Sequence, residues 1–324
     1  MPATAALEAL VTAGRFRDAL QHYQSGTARQ PAPSVDDRLL AATAAGHLGE
    51  IDLGVMLAAE AHSECAVGAD REGTMRSAHL LGAFAFERGR LADAETHFEE
   101  AIRLAESMGD ELQAAKTANN LASLAHLAGR TTEALQHYAR ALAVYRRRYL
   151  ASGAAETWHN IALVERELGR HEQATQASEA AIMYARKTGD DGLIALVLAG
   201  RAEGRLARGD LAGADADLDE ARIRAGQGSD VPALAEVDRV AARVALARGN
   251  AGESYELALR AWGAAGLQSH ALLEADCAAA CALSLKALGR EQEGHGFFVH
   301  AERRLVAVGS VARAQRLARE WASG

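Results

Sequence analysis

Proline, aromatic side chains and cysteine are all scarce in this chain. Only four prolines occur in 324 residues, at positions 2, 31, 33 and 232. Proline removes a backbone donor and clashes with the preceding helical turn, so the span from Ser34 to Val231, which has none, can be helical almost throughout. Aromatics are 5% of the residues, while alanine and leucine dominate, which suits closely packed helices better than sheets. The three cysteines, Cys65, Cys277 and Cys281, are an odd number in a long chain and point to a reducing compartment. No apolar run reaches the roughly 18 residues of a membrane span. The N-terminus, MPATAALEALVTAG, lacks the basic region of a signal peptide. Positive charge is also short: 35 Lys and Arg stand against 43 Asp and Glu, a net charge of -8. That argues against broad nucleic-acid binding, which basic surface drives. What remains is 49% hydrophobic, enough for a large core or a long repeat array, and the expectation is a soluble, cytoplasmic, all-α protein.

What is present is a period. Glycines stand at 49, 89, 129, 169, 209, 249 and 289, every 40 residues, with an earlier copy at Gly14. Glycine ends a helix cheaply because the position after the last turn is left-handed, so each glycine predicts a turn between two helices. After the turn comes a small residue with a bulkier one four later: Ala19 and Tyr23, Ala94 and Phe98, Ala134 and Tyr138, Ala214 and Leu218, with Gly294 and Phe298 as a variant. The small residue lets two helices approach, and the bulky one fills the gap beside it on the same face. Seven or eight residues before the turn is an apolar-small pair, as in Leu81-Gly82, Leu121-Ala122, Ile161-Ala162 and Cys281-Ala282. Trp158 precedes one of these pairs; Ala78, Ala118 and Ala278 precede others.

TWHNIALVERELGR and MRSAHLLGAFAFERGRLADAETHFEEA carry the W-x2-L-G, turn glycine and A-x3-F elements in order. The chain thereby resembles the tetratricopeptide repeat family, in the longer class whose repeats run to 40 residues. Pro31 matches the family's closing proline, and ESMGDE and RKTGDD resemble the links between its repeats. The resemblance implies one α-solenoid domain over residues 1–324, a right-handed superhelix of about eight helical hairpins. The expected repeats cover 1–33, 34–69, 70–110, 111–152, 153–190, 191–230, 231–270 and 271–309. A last amphipathic helix over 310–324 would cap the array.

The resemblance also implies that the first helix of each repeat lines a concave groove. Its positions fall on Arg76, His79 and Phe86, then on Lys116, Asn119, Asn120, Ser123 and His126. They continue to Glu156, His159, Asn160 and Arg166, and to Glu203, Arg239, Arg243 and Lys286. Asn120 and Asn160 take the position where peptide-binding members often carry asparagine. An amide donates and accepts at once and can pair with an extended backbone of any sequence, or it can be satisfied by the neighbouring helix. Arg76, Lys116 and Arg166 set against Glu156 make a mildly basic patch that would suit an acidic peptide or a C-terminal carboxylate.

Other groups carry weaker signals. His79, His126 and His159 lie in successive repeats and could be metal ligands or ordinary polar residues. Cys277 and Cys281 are four apart on one helix, which fits small core residues before a reactive pair. The arginines of YRRRYL, Tyr145 to Leu150, complement a helix C-terminus, and a nucleic-acid patch would need more basic surface around them. ADADLDEA, Ala214 to Ala221, reads as a solvated acidic stripe. No phosphate loop, nucleophile elbow or zinc-protease motif occurs. The expectation is therefore not an enzyme and without cofactor, but a scaffold holding a protein or peptide ligand in its groove. No nucleic acid and no membrane are expected, and self-association is open. A stand-alone sensor of a signalling peptide, acting on a separate output protein, is the second reading, and an enzyme the third.

Overall fold

The structure, a computed structural model, describes residues 3–27, 33–228, 230–267 and 271–323. Pro31 lies outside them. The described residues form seventeen α-helices and no strand. They are α1 (Ala3–Thr12), α2 (Phe16–Thr27), α3 (Val35–His47), α4 (Ile51–Gly68), α5 (Arg71–Glu87) and α6 (Leu91–Met108). Then come α7 (Glu111–Leu127), α8 (Thr131–Arg147), α9 (Ala151–Glu167), α10 (His171–Ala185), α11 (Asp191–Ala207) and α12 (Leu211–Gly228). The last are α13 (Val231–Ala247), α14 (Ala251–Leu267), α15 (Ala271–Ala287), α16 (Glu291–Ala307) and α17 (Val311–Ser323). The chain divides into two compact units, Met1–Leu121 and Ala122–Gly324.

Every turn glycine of the 40-residue series is left-handed, from Gly169 at φ 71° to Gly249 at 84°. The pattern at Gly129 is typical: its N–H donates to His126 O at 2.9 Å, and Arg130 N–H to Ala125 O at 2.8 Å, which satisfies carbonyls the helix end would leave bare. A second left-handed series runs between the hairpins, at Ala69, Gly109, Tyr149, Gly189 and Gly309, again on the 40-residue period. In most of these links an aspartate follows and caps the next helix. Asp70, Asp110, Asp190 and Asp230 accept from the N–H groups of Gly73, Gln113, Leu193 and Ala233 at 2.9 to 3.1 Å. Helix α9 starts at Ala151, two residues before the expected repeat boundary at 153, because it follows the left-handed Tyr149 by two residues, as α7 follows Gly109 and α11 follows Gly189.

The small-then-bulky pairs sit where the two helices of a hairpin meet. Ala94, Phe98, Ala134, Tyr138, Ala214 and Leu218 are all buried. Phe98 lies on Gly82, where a methyl group would fall 2.6 Å from the ring, so the glycine makes room for the phenyl group. Within the first unit α1 touches α3 and α3 touches α5; within the second, α9, α11, α13 and α15 touch in succession. Within each unit, consecutive even-numbered helices make no comparable contact among the described residues. The odd helices are thus the tighter layer within each unit. One expectation is overturned in the acidic stretch of α12. Asp217 is buried, because Arg201 grips it with both nitrogens at 2.9 and 2.6 Å and Arg205 adds a contact at 2.9 Å.

Candidate functional site

In the first unit the odd-helix face carries Arg76, His79 and Phe86 on α5, and Lys116, Asn119 and Asn120 on α7. Arg76 reaches back one full repeat to Asp36 on α3, Nη1 to Oδ1 at 2.5 Å. His79 Nδ1 shares a hydrogen bond with Thr117 Oγ1 at 3.0 Å, and its ring lies 5.7 Å from that of Phe98. Burial, with Lys116 nearby, pushes its pKa down to about 4, so the imidazole is neutral at pH 7. Phe86 is half-buried, Lys116 is exposed, and Asn119 and Asn120 are half-buried. Asn120 hydrogen-bonds to no other described residue.

In the second unit Asn160, on α9, is likewise half-buried with no hydrogen bond to another described residue. Ser123 turns away from this face, sharing a 3.0 Å hydrogen bond with the Tyr138 hydroxyl of α8. His159 stacks on Gly200 of α11, where a methyl group would fall 2.4 Å from its Cε1. Burial and the Arg166 charge push its pKa down to about 4 as well. His126 Nε2 meets Glu167 Oε2 at 2.9 Å. The three histidines thus each have their own surroundings, and no three His, Cys, Asp or Glu side chains among the described residues are placed to hold a metal. Glu156 is held by Ser152 at 3.3 Å, and burial raises its carboxyl.

Three arginines of the expected groove, Arg166, Arg239 and Arg243, converge on one carboxylate in this unit. Arg166 Nη2 donates to Glu203 Oε2 at 2.8 Å. Arg239 meets both Glu203 oxygens, at 3.2 and 3.3 Å, and Arg243 donates to Oε1. Arg239 also forks onto Glu236 at 2.8 and 2.6 Å. Glu203 and Arg239 are both buried. Burial alone would raise the Glu203 carboxyl, but Arg239, Arg166 and Arg243 outweigh it and hold it well below the usual range. The spacing carried a signal: Arg243 stands 40 residues after Glu203, at the same repeat position. Arg166, expected to face an acidic ligand, and the groove positions Arg239 and Arg243 are committed here to cross-linking α9, α11 and α13.

The C-terminal helix joins the same network. Ala314 and Leu317 of α17 are buried against Ala275, Ala278, Ala301 and Leu305 of α15 and α16. Trp321 stacks on Phe298 at 5.1 Å, and Lys286 donates to the Trp321 carbonyl oxygen. Arg313 meets Asp276 of α15 at 2.7 Å. Arg316 reaches Glu167 of α9 at 3.3 Å, across 149 residues of sequence. Burial would raise Glu167, but His126 and Arg316 bring it down to about 2. Nothing in the sequence pattern announces a bond between repeats so far apart.

A tetratricopeptide repeat model matches residues 73–147 and 113–187, two windows offset by one period. Over residues 73–187 the chain carries tetratricopeptide repeats. No curated protein matches its sequence. Among solved structures it is similar to a Rap protein complexed with competence and sporulation factor, with a TM-score of 0.68 and 13% identity over 99% of this chain and 95% of that one. It is similar to NprR in complex with its cognate peptide NprX, with a TM-score of 0.66 and 14% identity over 98% and 95% of the two chains. It also resembles aspartyl phosphate phosphatase F from Bacillus subtilis, with a TM-score of 0.65 and 12% identity over 90% and 76%. At these identities the likeness is one of fold.

Proposed function

We propose that this chain is a non-enzymatic scaffold that holds a peptide or an extended protein segment against its odd-numbered helices. The observation that carries the reading is the pair Asn120 and Asn160. Each is a half-buried amide on a first helix, at the same repeat position, with no hydrogen bond to another described residue. An unpartnered amide loses free energy when its surroundings dry, unless an incoming backbone supplies both a donor and an acceptor. The solved relatives held with competence and sporulation factor and with NprX support a peptide as the ligand. A stand-alone peptide sensor acting on a separate output protein is the nearest alternative, favoured by those same complexes. The buried thiols of Cys65, Cys277 and Cys281, all unpaired, fit a cytoplasmic location.

An acidic ligand is the finer version of the proposal. Arg166, Arg239 and Arg243 are held by Glu203, so Lys116, exposed and ion-paired to no described residue, is the cation that would receive a carboxylate. The test is affinity capture from native lysate with mass spectrometry, wild type beside the Asn120→Ala/Asn160→Ala double variant and Lys116→Glu. A protein or peptide retained by wild type should drop at least ten-fold with the double variant, about 1.4 kcal/mol or more of binding energy. Equal recovery from all three would remove the odd-helix face from the reading.

A further inference from the structure

Among the described links between hairpins, the one between α8 and α9 combines a bulky left-handed residue with a missing side-chain cap, and both features cost stability. Where Gly109-Asp110 and Gly189-Asp190 supply a left-handed glycine and a capping aspartate, this link has Tyr149-Leu150. Tyr149 adopts φ 57°, a region that penalises a residue with a Cβ. Leu150 gives α9 no side-chain cap. Neither residue recovers the loss by burial: Tyr149 is 93% exposed and Leu150 36%. A bulky aromatic ring held in solvent on a strained backbone is what a binding surface retains and a purely structural link would lose.

The surroundings of Tyr149 give that surface a chemistry. An open cleft of about 680 Å³ is lined by Ala143, Arg146, Arg147, Tyr149, Ala151, Tyr184 and Lys187. Among the described residues no aspartate or glutamate lines it, although the chain as a whole carries a net charge of -8. Lys187 Nζ sits 4.8 Å from the centre of the Tyr184 ring. Arg146 is exposed and ion-paired to no described residue. The cleft is built from the C-terminal ends of α8 and α10 and the start of α9, a surface distinct from the odd-helix face.

We infer that this cleft docks an acidic polypeptide segment, its carboxylates on Arg146 and Lys187 and an apolar or aromatic side chain against Tyr149 and Tyr184. Two rigid rings beside two cations match such a segment in both shape and charge. A nucleic acid fits less well, since its longer footprint would leave this small basic cleft for an acidic surface.

The test uses a displayed library of random twelve-residue peptides selected on the full chain, with every enriched peptide rebound to Tyr149→Gly and Arg146→Glu. Glycine at 149 suits the left-handed backbone, so Tyr149→Gly should melt at or above the wild-type temperature, and lost binding cannot then be blamed on misfolding. The expected result is a family of peptides rich in Asp or Glu with an aromatic residue. They should bind Tyr149→Gly and Arg146→Glu at least ten-fold more weakly, weaken with added salt, and bind Asn120→Ala/Asn160→Ala as they bind wild type. That last arm separates this site from the odd-helix face. Acidic peptides that ignore both cleft variants, or no acidic family at all, would overturn the inference. So would Tyr149-dependent binding of a twelve-nucleotide oligothymidine in place of the peptides.

Discussion

At the scale of single residues, the second unit is held by a charge cluster, and His79 in the first unit and His159 in the second are half-buried and neutral. His79 and His159 titrate near 4 in the fold, against an ordinary value of 6.5. Below 6.5 the unfolded chain takes up protons that the folded chain refuses. Their contribution is therefore complete above pH 6.5 and lost as pH falls towards 4, by at most about 1.4 kcal/mol per pH unit for each residue. Urea titrations at several pH values should show stability falling through that window, with a shallower fall in His79→Gln and His159→Gln. Glu203, whose folded value is depressed, adds its loss lower, once pH drops below about 4.5. Glu203→Gln at neutral pH should cost about 3 kcal/mol, because it leaves Arg239 buried with half its partners; an apolar replacement of both residues should cost less. Sequence placed these side chains on the right helices but not in the right pairs. It put Arg166, Arg239 and Arg243 in the same groove as Glu203, yet a repeat position does not say whether a guanidinium group faces a ligand or a neighbouring helix.

At the scale of elements, both kinds of turn obey the same left-handed requirement, and sequence exposed them unequally. The hairpin turns were fully legible, because glycine fills that position in all eight copies, from Gly14 to Gly289. The links between hairpins were legible at Gly109 and Gly189 but hidden at Ala69 and Tyr149, where side chains occupy the same backbone state. Gly129→Ala should therefore destabilise the chain by about 1–2 kcal/mol, since φ 77° must be kept without glycine's freedom. Tyr149→Gly should do the reverse by up to about 1 kcal/mol, and thermal unfolding of the two variants side by side checks both signs. The last helix was expected as a cap, and its apolar face is indeed buried on α15 and α16. Its Arg316 bond to Glu167 was beyond any local pattern, being a contact between distant repeats set by how the hairpins stack.

At the scale of the molecule, first helices touch their successors within each unit, α1 to α5 in the first and α9 to α15 in the second, while second helices of the same unit make no comparable contact among the described residues. That asymmetry distinguishes an inner, more tightly packed layer of first helices, which carries the half-buried amides Asn120 and Asn160, from an outer layer of second helices. The account's central claim is that a polypeptide ligand lies on the inner layer. Hydrogen–deuterium exchange, followed on the full chain alone and saturated with the partner recovered by affinity capture, tests it most directly. Added protection is predicted on α5, α7 and α9, centred on the peptides that contain Asn120 and Asn160, with α6, α8 and α10 unchanged. Protection confined to α6, α8 and α10 would place the ligand on the outer layer and contradict the account.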